Sequence, residues 1–212
     1  MKAISLIAVG AAALAAMTSA CGGASKTAGP VAATSTSSAQ SSPTSTGSAS
    51  SSTAEVSPTG DIPDTQAFVP YSSATGKFSI KVPEGWARAE SGAAVTFSDK
   101  FNSITVDTVA ASSAPTVTSA QQSEVPSIRA AARNYQAGSV TMVTRKAGPA
   151  VLITYRADSA PDAVTGKVVP EAVERYEFWR GGVEAIVTLS APQGADNVDP
   201  WRTVTDSFGW LG

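Results

Sequence analysis

The sequence contains no histidine and a single cysteine in 212 residues. The absence of histidine removes the His-dependent catalytic triads. With no second cysteine, zinc-type sites lack their usual ligands, and a disulfide within one chain is excluded. Charge is also scarce: 15 Lys and Arg stand against 17 Asp and Glu, with no basic stripe to neutralise a phosphate backbone, so nucleic-acid binding is not expected. Neither Gly-x-Ser-x-Gly nor Ser-x-x-Lys occurs, and there is no glycine-rich phosphate cradle. No cofactor is expected.

Two acidic groups could still carry chemistry. Glu171, Glu174, Glu177 and Glu184 surround one hairpin, and paired carboxylates perform glycoside hydrolysis. Glu177 and Glu184 are nonetheless spaced as outward residues of strands, which predicts a solvated face. Asp196, Asn197 and Asp199 offer oxygen ligands, but they lack the spacing and closing Glu of a calcium loop. A helix cap is the simpler reading, and no metal site is predicted.

One long apolar run is present, at the start. Lys2 precedes the run Ala3 to Ala16, which has the length of a signal-peptide core and is too short to span a bilayer comfortably. Thr18-Ser19-Ala20-Cys21 then resembles the bacterial lipobox, with Thr18 where most lipoboxes have Leu. This likeness implies cleavage before Cys21 and lipidation of its sulfur, anchoring the chain to the extracytoplasmic face of the cell membrane. The alternative is plain secretion with a free thiol. The predicted organisation is a signal peptide over 1–20, a tether over 21–61 and a folded domain over 62–212.

From Gly22 to Asp61 the composition falls to Ser, Thr, Ala, Gly and Pro, which cannot bury enough apolar surface to offset ordering entropy. A disordered tether of this length would span about 35 Å. The same composition also suits O-linked glycosylation.

Beyond Ile62 the pattern changes to short alternating runs. Phe78, Ile80 and Val82 alternate with Ser79 and Lys81, the mark of a half-buried strand stopped at Pro83-Glu84-Gly85. Further strands are predicted at Val95 and Phe97, at Ile104 to Thr108, at Val140 to Thr144 and at Val151 to Arg156. Glu171 to Ser190 reads as a hairpin turning at Gly181-Gly182, with Phe178 opposite Ala185 and Tyr176 opposite Val187. Val125, Ile128, Ala132 and Tyr135 form a helical stripe, with Pro126 in the first turn and Gly138 as its stop. A last helix begins at Asp199-Pro200, buries Trp201, Val204 and Phe208, and ends at Gly209, with Trp210 folding back.

The segments FSIKVPEGW (Phe78 to Trp86), YEFWRGGVEAIVTLSAP (Tyr176 to Pro192) and DPWRTVTDSF (Asp199 to Phe208) together resemble the PsbP-like family. The same domain type occurs in the nuclear-transport cofactor Mog and in actinobacterial lipoproteins of the LpqN type. The resemblance implies an α+β fold, an α/β/α sandwich with a central antiparallel sheet, and a non-catalytic assembly or accessory role. It brings no shared catalytic residues.

For a binding surface the sequence offers the long connection Asp158 to Pro170, with Asp158, Asp162 and Lys167, and the aromatic anchors Trp86 and Trp179. The alternatives are a mobile loop and tryptophans buried beneath helices. The expected function is recognition of another envelope protein, in assembly or transport, by a membrane-anchored module. The competing expectations are a carrier for a small apolar ligand, lipid or sugar, and an unrecognised hydrolase.

Overall fold

A computed structural model describes residues 60–212, so the predicted signal peptide, Cys21 and nearly all of the tether lie outside the described residues. Among the described residues, ten strands form two antiparallel sheets. The larger contains β3 (Ala87–Ser91), β4 (Ala94–Asp99), β5 (Asn102–Ala110), β6 (Gln136–Arg145), β7 (Gly148–Asp158), β8 (Pro170–Arg180) and β9 (Val183–Pro192), in the order β3-β4-β5-β9-β8-β7-β6. The smaller places β2 (Phe78–Pro83) between β1 (Phe68–Ser73) and β10 (Gly209–Trp210). The helices are α1 (Val117–Ser119), a π turn (Ala120–Glu124), α2 (Val125–Ala131) and α3 (Val198–Ser207).

Period-2 patterning explains the main core. On β2, Phe78, Ile80 and Val82 point inward while Lys81 is exposed. On β5 and β9, Ile104, Val106, Ala185, Val187 and Leu189 are all at 0% exposure. The hairpin has the predicted register, Phe178 facing Ala185 and Tyr176 facing Val187. Its turn residues Gly181 and Gly182 have φ of 56° and 87°, the positive pair that matches a two-residue turn to strand twist. Phe208, just after α3, joins the layers: its ring lies 4.7 Å from that of Phe178, 6.0 Å from Phe78 and 5.3 Å from Trp210. Burial of one such ring stabilises the fold by about 1.5–3 kcal/mol. Trp210 does fold back on Phe208, and it also pairs with Phe78 as part of β10.

The predicted α+β class with a central antiparallel sheet agrees with this architecture, but the covering layers differ from a simple α/β/α sandwich. The core face of the large sheet is covered by the small sheet and α3 together. The outer face carries the α1, π and α2 segment, whose Ala120, Val125 and Ile128 pack on Val140, Val151, Ile153 and Tyr155. That contact involves β6 and β7.

The helical stripe also departs from expectation. Pro126 is the second residue of α2, in its first turn as predicted, but the helical path begins earlier, at Val117, capped by Thr116 and Ser119 in a reciprocal capping box, and runs into α2 through the π turn. Pro126 has no N–H to offer the preceding turn, and the path widens there: Val125 N–H reaches back to the Ala120 carbonyl, and the Ser127 hydroxyl donates to the Ser123 carbonyl at 2.8 Å. The helix ends at Ala131, with Ala132 extended and Asn134 at φ 51°, so Ala132 and Tyr135 are off the stripe. Gly138 is no helix stop. It lies inside β6, where a Cβ would come within 2.3 Å of the Thr154 carbonyl oxygen.

Asn197 does not cap α3 with its side chain. It is 3% exposed, accepts from Ile62 N–H at 2.7 Å and donates to the Gly60 carbonyl at 3.0 Å. Asp61 in turn accepts from Asp196 N–H at 2.8 Å. The acidic cluster before α3 therefore fastens the start of the described chain.

Candidate interaction face

The residues on the two faces of β5 and β9 differ sharply. Opposite the sealed core face, Ser103, Thr105, Asp107, Glu184, Ile186 and Thr188 are only half-buried, and Val109 is 41% exposed. Antiparallel pairing sets Thr105 beside Thr188, Asp107 beside Ile186 and Val109 beside Glu184. Hydroxyl pairs bridge the strands, Thr96 to Thr105 at 2.9 Å and Ser103 to Ser190 at 2.8 Å. These short polar side chains give a helix little to bury. This half of the outer face is open, with mostly short polar side chains, Asp107 and Glu184 as its acids, and Ile186 and Val109 as its apolar members.

Beside it, under the π turn, Glu177 is fully buried, contrary to the solvated position predicted for it. Its Oε1 accepts from Arg175 Nε at 2.9 Å, and Arg175 also holds Glu124 of the π turn at 3.2 Å. Glu177 Oε2 has no hydrogen-bond partner. Burial raises the Glu177 carboxyl pKa, and Arg175 opposes the rise. Alternation placed Glu177 on the outer face correctly. It could not show that the π turn would cover that residue.

Glu184 is paired across the hairpin with Trp179 and so lies diagonal to Glu177. Burial first, then the charges of Glu177 and Glu124, push its carboxyl up to about 7. Trp179 is half-buried, and its indole N–H donates to the Ala111 carbonyl at 2.9 Å, which fixes the ring at this end of the face.

At the other end, Ser98, Phe101, Ser103, Asp162, Glu171 and Ser190 line a cleft of about 260 Å³. Burial pushes the Glu171 carboxyl up to about 7, and the Ser190 hydroxyl draws it partly back. Glu171 and Glu184 are separated by most of β8, so they do not form a glycosidase pair, whose carboxyls lie within about 10 Å of each other.

The connection from Asp158 to Pro170 is an ordered extension of the β7–β8 hairpin. Ser159 N–H donates to the Val169 carbonyl, and Asp162 N–H to that of Lys167. The Asp162 carboxylate accepts from Thr165 N–H and hydroxyl, both at 2.7 Å, and these bonds hold it below the usual carboxylate range. Asp158 is engaged by Asn134 Nδ2, and its own N–H donates to the Arg133 carbonyl. Lys167 is exposed, with its ammonium 5.5 Å from the Phe101 ring centre.

The predicted site residues therefore divide. Asp162 lines the cleft, Lys167 reaches only the Phe101 ring beside it, Asp158 braces the turn after α2, and Trp179 lies about 30 Å along β8 from that loop. Trp86 belongs elsewhere, half-buried against the main core. The sequence raises Glu171 and Glu184 only as carboxylates for glycoside chemistry, and it does not point to the Ser/Thr rows as site residues. Their signal is period-2 placement of polar residues on two neighbouring central strands. Cys21 lies outside the described residues. Among the described residues no group of three or more potential ligands could hold a metal, and no helix is long and apolar enough to cross a membrane.

Neither a protein-family model nor a curated protein matches the chain. Among solved structures, the chain is similar to cyanobacterial PsbP from Synechocystis, at 16% identity and a TM-score of 0.47 over 71% of this chain and 98% of that one. It is similar to the Ran-binding protein Mog1p of Saccharomyces cerevisiae, at 10% identity and 0.45 over 69% and 96%. A protein from Bacteroides thetaiotaomicron is similar at 13% identity and 0.46, the match covering 68% of this chain and 48% of that one, about half its length.

Proposed function

We propose that this chain is a membrane-tethered, non-catalytic envelope lipoprotein, of the actinobacterial LpqN kind within the PsbP-like group, whose folded domain binds another envelope protein involved in assembly or transport. Lipid on Cys21 and the Ser/Thr-rich tether supply the location, and the domain supplies recognition. The observation that carries the reading is the outer face of β5 and β9, half-buried and without a helix over it, on a sheet whose other face is packed shut. An open sheet face backed by a filled core offers a protein partner a broad surface on which to bury its own side chains.

Photo-crosslinking in the native envelope tests this. A crosslinker at Ile186, in the middle of the face, is expected to capture one protein. The same crosslinker at Val198, 71% exposed on α3, is expected not to capture it. Equal capture from both positions, or lipid adducts alone from Ile186, would overturn the reading. The tether is tested separately: Cys21→Ala should abolish partitioning into the detergent phase, and continued partitioning would refute a lipid anchor.

A further inference from the structure

A second cleft, of about 550 Å³, opens at one end of the sandwich, past the end of the outer face at Val109. Its walls come from the β1–β2 turn, the ends of β5 and β8, the start of β9 and the residues after α3. Val109, Ala110, Val183, Trp210 and Leu211 supply the apolar lining. Val109 and Leu211, 41% and 39% exposed, are two of the six large apolar side chains left exposed among the described residues, and both line this one cleft. Such clustering is what singles out a binding groove from ordinary scattered exposure.

Cations outnumber anions in the cleft. Lys77 and Arg180 both line it and both are exposed, no Asp or Glu side chain lines it, and the one anionic group there is the carboxylate of Gly212, in a chain where acids outnumber bases 17 to 15. Neither cation has an acidic partner among the ion pairs of the described residues. Leu211 is held in place from the backbone, its N–H donating to the Lys77 carbonyl at 2.8 Å, so one bond fixes an apolar wall and a cationic corner together. The volume is within the usual range for small-molecule sites.

We infer that this cleft binds a single anionic amphiphile of the alkyl-carboxylate class, its chain along Val109, Val183, Trp210 and Leu211 and its head group between Lys77 and Arg180. The site shares only Val109 with the protein-binding face, and the test below reads ligand affinity alone, so either reading can fail without the other.

The test is calorimetric titration of the full chain carrying Cys21→Ala, which has no acyl group of its own to compete. The probes are dodecanoate and dodecyltrimethylammonium below their micelle concentrations, and phosphatidylglycerol vesicles. Dodecanoate is expected to saturate at one site and to bind at least about tenfold more tightly than the cationic probe. Replacing both cations, as Lys77→Asn with Arg180→Gln, should weaken dodecanoate about tenfold, the combined effect of two exposed charges. Asn suits position 77, where φ is 52°. Leu211→Asn should weaken it by a similar factor through loss of the apolar wall. Absence of saturable dodecanoate binding, equal affinity for the cationic probe, an unchanged affinity in the double variant, or binding to vesicles alone would each overturn the inference.

Discussion

Glu171 and Glu184 lie at opposite ends of the outer face, each held at about 7 mainly by burial. An unfolded chain ionises these carboxyls near 4.5, whereas the folded chain keeps the proton until about 7. Between those values the folded state binds more protons, so stability falls as pH rises through the window and levels off above it. A shift of this size corresponds to about 3 kcal/mol for each carboxyl. Solvent reaches both half-buried side chains, which reduces the figure to about 1–2 kcal/mol each. Urea denaturation followed by tryptophan fluorescence at about pH 5 and about pH 8 reads this directly. The wild type should be less stable at the higher pH by about 2–4 kcal/mol from these two groups. Glu171→Gln should recover about 1–2 kcal/mol at about pH 8 and change little at about pH 5. A wild-type profile flat across the window, or a Gln variant equally destabilised at both pH values, would refute the reasoning.

Three further outcomes follow from the packing. Gly138→Ala should cost about 1–3 kcal/mol in denaturant unfolding, because the new methyl meets the Thr154 carbonyl on the paired strand; a neutral result would mean that β6 can shift away. Arg175→Met should cost about 3–5 kcal/mol near neutral pH, more than Glu177→Gln, since it strands a buried carboxyl; additive costs in the double variant would show that the pair is not coupled. Asn197→Ala should cost about 1–3 kcal/mol and raise hydrogen exchange at the Ile62 amide, which loses its acceptor; unchanged exchange there would remove Asn197 as the clamp.

Elements whose two faces differ strongly in polarity are legible in the sequence alone. Phe78, Ile80 and Val82 define β2, and the Gly181-Gly182 turn with its flanking aromatics defines the β8–β9 register. Elements held by their neighbours are not. β3 reads Ala-Arg-Ala-Glu-Ser, every residue exposed, and exists because β4 offers it a hydrogen-bonding edge. β1 is the same case: Phe68 and Tyr71 are half-buried three apart, and its pairing with β2 carries the strand. Gly138 shows the opposite hazard. Glycine after a helical stripe suggests a stop, yet here it answers a close approach by Thr154, a residue distant in sequence.

The outer face is the least legible part, because its character comes from coverage and not from alternation. Arg175, Glu177 and Glu184 share one face by register, and a linear pattern assigns all three the same solvated environment. The structure separates them. Pro126 widens the helical path into a π turn that brings Glu124 to Arg175 and seals Glu177, whereas Glu184, one strand further on, remains half-buried at the border of the open surface. A proline read as a local helix signal thus bears on where cover ends on a sheet distant in sequence. The candidate binding face is what remains of the sheet beyond that cover.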